Sequence, residues 1–69
     1  MPVTKLKVVM VAAELLEYVV ARKAGLSETV LSRITTGRRP ASGEEQRRIS
    51  EVLGIPRNEI FSDSGIALD

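Results

Sequence analysis

Seven polar residues between positions 27 and 39 carry the chemistry most directly readable in this sequence: Ser27, Glu28, Thr29, Ser32, Arg33, Arg38 and Arg39. Arg33 has the group that donates two parallel hydrogen bonds to guanine O6 and N7. Thr29 offers a methyl for thymine and a hydroxyl, and Glu28 an acceptor for cytosine N4. Thr29 and Arg33 are four apart, so a helix puts them on one face. Arg38 and Arg39 suit phosphate oxygens. Plainer uses stand beside these. Ser27 is a good helix N-cap. Glu28 in a first turn is favourable to the helix dipole. An exposed arginine can simply be solvated or clamp a phosphate instead of reading a base.

These residues need two helices and a tight turn to position them. A helix over about Leu16–Ala24 turns Val20, Ala21 and Ala24 inward, with Leu16 one turn earlier, and Gly25 ends it. Leu26 is the buried residue of the turn, and Ser27 opens a helix over Glu28–Thr36 with Leu31 and Ile34 inward and Val30 partly so. The spacing has physical reasons. Two helices crossing at ~90–120° come close near their turn, so a small residue is needed at Ala21. A left-handed turn position suits Gly25, and Leu26, Leu31 and Ile34 fill the wedge. This is the pattern of a helix-turn-helix, whose second helix enters a DNA major groove.

The flanks are helical as well. Thr4 can cap a helix from Lys5, placing Leu6, Val9, Met10 and Ala13 on one face. Residues 5–8 also alternate, so a short strand is the other reading. No partner strand is evident, and helix is preferred. Gly37 stops the helix that carries Arg33. After the loop Arg38-Arg39-Pro40-Ala41, Ser42 and Glu45 have capping-box spacing. The fourth helix buries Ile49, Val52 and Leu53 and stops at Gly54. Pro56 begins a short fifth helix reaching Phe61, and 62–69 reads as a C-terminal tail. The expected architecture is all-α: five helices over residues 1–61, with the helix-turn-helix at about 17–36.

Composition narrows the functions. Sixty-nine residues make one small domain. With no Cys and no His, there is no disulfide framework, no thiolate or imidazole metal site, and no nucleophile with an adjacent base. No enzyme, cofactor, metal or small-molecule ligand is expected. Tyr18 and Phe61 are the only aromatics, too few for a single-strand binder built on stacking. No stretch approaches the ~20 apolar residues of a membrane span, and a cytoplasmic, nucleoid-associated protein is expected.

The net charge of +1 conceals an uneven layout. Residues 33–49 hold Arg33, Arg38, Arg39, Arg47 and Arg48 against Glu44 and Glu45. Residues 50–69 hold Arg57 against Glu51, Glu59, Asp63 and Asp69. A basic middle therefore precedes an acidic end.

The segments VVARKAGLSETVLSRITTGRRPAS at 19–42 and ISEVLGIPRNEIF at 49–61 resemble the Cro/C1-type (XRE family) helix-turn-helix domain of phage and bacterial repressors. The resemblance implies a lambda-repressor-like fold. It also implies base contacts from Glu28, Thr29, Ser32 and Arg33, and phosphate contacts from Ser27, Arg38 and Arg39. Arg47 and Arg48 are expected only to solvate the fourth helix. The chain departs from the family pattern where Glu14, Leu16 and Glu17 stand in place of Gly, a Ser or Thr cap, and Gln. The first helix is then expected to run on, or the junction to bend differently. An acid at Glu17 repels phosphate, so no phosphate role is carried over to it. Met10 and Thr35 replace an Arg–Glu pair, so both charges are lost together.

The expected function is a sequence-specific regulator on double-stranded DNA, of phage- or prophage-repressor type, working as a homodimer on a palindromic operator. Ile60, Ile66 and Leu68 are the expected dimer surface, a disordered tail being the other possibility. An antitoxin or small protein-interaction module with the same helices is the alternative.

Overall fold

Capping residues decide where each helix starts. In a computed structural model that describes residues 4–69, α1 spans Lys5–Ala12, α2 Glu17–Ala24, α3 Glu28–Thr35, α4 Gly43–Leu53 and α5 Arg57–Ile60. The all-α reading holds, and residues 5–12 are helix rather than strand. The Thr4 hydroxyl accepts the Lys7 N–H at 3.2 Å and donates to the Thr35 carbonyl at 2.6 Å. One buried threonine thus caps α1 and ties it to the end of α3. Ser27 caps α3 by accepting from the Val30 N–H at 3.1 Å. Ser42 and Glu45 form the reciprocal capping box: the Glu45 N–H donates to the Ser42 hydroxyl at 3.1 Å, and the Ser42 N–H to the Glu45 carboxylate at 2.8 Å.

The helix ends are equally specific. At Gly25 (φ 72°) the Leu26 N–H reaches back to the Ala21 carbonyl at 2.8 Å, while the Gly25 N–H bonds the Arg22 carbonyl at 3.2 Å. This reversal needs a left-handed residue, and it points Leu26 back over Ala21. The same hydrogen-bond pattern ends α1. Leu15 donates to Met10, Glu14 donates to Val11, and Glu14 itself adopts φ 58°. So α1 does not run on. The chain makes a glycine-type reversal with a glutamate in the left-handed position, the place where the resembled family has glycine.

A left-handed non-glycine residue costs about 1–2 kcal/mol. Glu14→Gly should therefore stabilise the domain by about 1 kcal/mol after the extra backbone entropy of glycine is deducted. In a domain of this size that is a rise in melting temperature of roughly 4–8 °C by circular dichroism.

The core is built from Leu6 and Met10 of α1, Val20, Ala21 and Ala24 of α2, Leu31 and Ile34 of α3, Ile49 of α4, and Ile60 and Phe61. Val52 and Leu53 are only half-buried at its edge, and Ala13 is exposed. Leu16 does not belong to it. It precedes α2 in extended backbone and is 60% exposed, and Leu15 packs against the core instead.

Residues 62–69 dock on the domain. Phe61 and Ala67 form an antiparallel bridge, flanked by hydrogen bonds from Ser62 to Ile66 and from Leu68 to Ile60, each 2.8 Å. Two further bonds fasten this clip to distant parts of the chain: Ala41 donates to the Gly65 carbonyl at 2.9 Å, and Lys5 to the Leu68 carbonyl at 2.7 Å. Ile60 is fully buried and Ile66 and Leu68 are half-buried. The apolar side chains expected at a dimer surface are thus largely spent inside the monomer.

Candidate nucleic-acid interface

The outward face of α3 carries Glu28, Thr29, Ser32 and Arg33, all exposed, while Leu31, Ile34 and Thr35 face the core. Helical spacing accounts for this division, with the apolar stripe three residues apart and the polar positions on the opposite arc. The chain just beyond α3 folds back on the helix end. The N–H groups of Arg38 and Arg39 both donate to the Arg33 carbonyl, at 2.9 and 3.2 Å. This brings Arg38 beside Arg33. Together with Glu17 from the start of α2, the residues Glu28, Thr29, Ser32, Arg33 and Arg38 line one shallow concave surface.

Five of the seven expected residues are therefore brought together. The other two sit differently. Ser27 is occupied as the α3 cap, although its side chain remains exposed. Arg39 turns away toward α4 and binds both carboxylate oxygens of Glu45, at 3.0 and 3.2 Å. The Arg39 guanidinium thereby supports the capping box.

Glu45 is held below the ordinary carboxylate range. Its burial acts to raise the pKa, but the Ser42 N–H, the Arg39 guanidinium and the Ser42 hydroxyl outweigh it. Glu44 is lowered too, by hydrogen bonds from Arg47 and then Arg48. Arg47 also binds Glu51 at 2.8 Å, and the Arg57 Nε donates to the Gln46 side chain at 2.7 Å.

Internal partners thus engage Arg39, Arg47, Arg48 and Arg57. Of the six arginines from position 33 to 57, only Arg33 and Arg38 make no ion pair or side-chain hydrogen bond among the described residues. Both lie on the concave surface. An unpaired, exposed guanidinium keeps its full donor fork for an external acceptor.

Glu17 is the residue whose placement the sequence did not disclose. Its carboxylate accepts from Lys7 Nζ at 2.8 Å and from the Thr35 hydroxyl at 3.3 Å. Lys7 and Glu17 are ten residues apart and belong to different helices, so no local spacing announces the pair. The salt bridge offsets the negative charge on the edge of the concave surface. Thr35 in turn donates to the Ser32 carbonyl at 2.9 Å. Thr35, where the resembled family has a Glu, is thus satisfied by hydrogen bonds to the Ser32 carbonyl and the Glu17 carboxylate.

Two short helices, a glycine reversal and an exposed polar face on the second helix are the geometry of a helix-turn-helix. A family model described as a helix-turn-helix domain matches residues 6–60. The chain belongs to this family, and its type is Cro/C1 (XRE). The match spans residues of all five helices, α1 through α5. No sequence among curated proteins matches the chain. Membership makes this helix-turn-helix protein a DNA-binding regulator in general terms, and none of its described helices is long and apolar enough to cross a membrane.

Proposed function

We propose that the protein is a sequence-specific regulator that inserts α3 into the major groove of duplex DNA, as a repressor of phage or prophage type. The observation that carries this reading is the pairing pattern of the arginines. Of the seven arginines, four are committed to internal partners, and two of the other three, Arg33 and Arg38, lie on the concave surface at the exposed polar arc of α3, the third, Arg22, belonging to α2. Arg33 and Thr29, with Ser32 and Glu28 beside them, address base edges. Arg38, at the end of the helix, addresses the phosphate backbone, and the Ser27 end of α3 adds exposed N–H groups near the same surface. Arg39 contributes to DNA contact only if it leaves Glu45, and its first role is to hold the α4 cap. One such helix makes few base contacts, which favours a homodimer on a two-fold symmetric operator with half-sites about one helical turn apart.

Equilibrium titration of fluorescent duplex DNA at several salt concentrations tests this. Binding should weaken linearly in log–log form as salt rises. Arg38→Ala should weaken binding to every sequence alike and reduce the magnitude of the slope by about one unit. A slope identical to the parent's removes Arg38 from the phosphate contacts. No binding of any duplex at low salt overturns the DNA reading and leaves the protein-interaction module.

A further inference from the structure

The outer face of α1 is the least explained surface of the molecule. The helix turns Leu6 and Met10 into the core, yet its opposite side is also apolar. Val8 and Val11, three residues apart and so on one face, are 53% and 66% exposed. A helix apolar on both sides is normally covered on both. Among the described residues, the four large hydrophobic side chains that are exposed all fall between residues 8 and 18.

Beside Val8 lies a groove between α1 and the α4–α5 junction, lined by Lys5, Val8, Val9, Ile55, Glu59 and Asp69. Its charges are arranged in a telling way. Lys5, at the α1 side, and Glu59 and Asp69, at the other, make no ion pair among the described residues. The groove shares no residue with the concave surface of α3.

We infer that this face is the self-association surface of the protein, two copies packing α1 against α1 about a two-fold axis. In such an isologous contact each residue meets its counterpart set on the other copy. Val8 and Val11 of one copy cover those of its partner. Lys5 of each approaches the Glu59 and Asp69 of the other, which supplies the missing counter-charges in both directions at once. A second copy fits this face because the patch is its own electrostatic complement. A partner of a single charge sign would satisfy only one side. A specific interface covers about 800 Å² per partner, so the contact uses the groove together with the outer side of α1, out of a total surface of 4326 Å². The inference rests on the dimeric reading above and relocates its interface from Ile60, which is buried, to α1.

Sedimentation of the free protein, without DNA, separates the two readings. The parent chain should be dimeric at micromolar concentration. Val8→Glu should raise the dimer dissociation constant about 100-fold or more, because it leaves an unpaired charge in a closed interface. Its circular dichroism spectrum should match the parent's, because the side chain is exposed in the single copy, while its melting temperature falls only by what dimerisation adds to the parent. Lys5→Glu should dissociate the dimer, and the triple variant Lys5→Glu/Glu59→Lys/Asp69→Lys should restore it. A monomeric parent, an intact dimer in Val8→Glu, or no rescue in the triple variant overturns the inference. Binding of Val8→Glu to a single half-site reads the DNA function independently. If half-site binding persists while the parent sediments as a monomer, the interface fails alone. If the dimer behaves as stated and no DNA is bound, the DNA reading fails alone.

Discussion

Replacing Gly65 with alanine should destabilise the domain by about 3 kcal/mol, the sum of a left-handed backbone cost and an overpacking cost. Gly65 is buried in the C-terminal clip with φ 88°. A Cβ there would overlap the Ala41 carbonyl oxygen and stand 2.7 Å from Gln46 Nε2. Neither neighbour can give way cheaply. The Ala41 carbonyl accepts from Gln46 Nε2 at 2.8 Å, and the Ala41 N–H donates to the Gly65 carbonyl at 2.9 Å. The clip must lift, taking with it the Leu68–Lys5 bond that fastens the start of α1. In thermal melts this should appear as a fall of roughly 12–24 °C for a domain of this size. Gly37→Ala supplies the contrast. Its φ is 76°, but a Cβ there meets nothing within 4 Å, so only the backbone cost of about 1 kcal/mol remains. Equal effects of the two substitutions would show that the clip is not packed as described.

Replacing Arg33 with alanine should reduce affinity for the preferred operator by roughly 1–3 kcal/mol, a factor of about 5 to 150, and relax the preference at one base position. Arg33 is exposed on the outward arc of α3, has no ion-pair partner among the described residues, and lies beside Thr29 and Arg38. Removing it takes away no ion pair or side-chain hydrogen bond, so the melting temperature should stay close to the parent's. The two readouts distinguish this residue from Arg39. Arg39→Ala removes the Nη1 contact to both carboxylate oxygens of Glu45 and should lower stability as well as any affinity. Uniform weakening across all sequences for Arg33→Ala would move Arg33 from base reading to phosphate contact.

The helices and the exposed face of α3 were legible because their signals are local. Thr4, Ser27 and Ser42 each cap within three residues. Gly25 and Leu26 close their turn within five. The grouping of Arg38 with α3 follows from one short loop. What was not legible depends on contacts across the chain. Glu14 gives no sign of a left-handed conformation, since the Val11 and Met10 carbonyls are paired, by the Glu14 and Leu15 N–H groups, only once the reversal has formed. Where Ile66 and Leu68 dock was not legible because the fastening bonds go to Ala41 and Lys5, far away in sequence. Arg39 looked equivalent to Arg38 as a neighbour, and the capping-box carboxylate distinguishes them. Glu17 was set aside as a repulsive acid, and Lys7 shows how that charge is balanced.

Selection of binding sites from a random duplex DNA library, with the parent chain and Arg33→Ala in parallel, tests the central claim most directly. The account predicts enrichment of a two-fold symmetric consensus by the parent, with half-sites about one helical turn apart. The Arg33→Ala pool should keep the symmetry and lose preference at one position in each half-site. A parent chain that enriches no sequence, or an Arg33→Ala pool identical to the parent's, would contradict the assignment of α3 as the sequence-reading element.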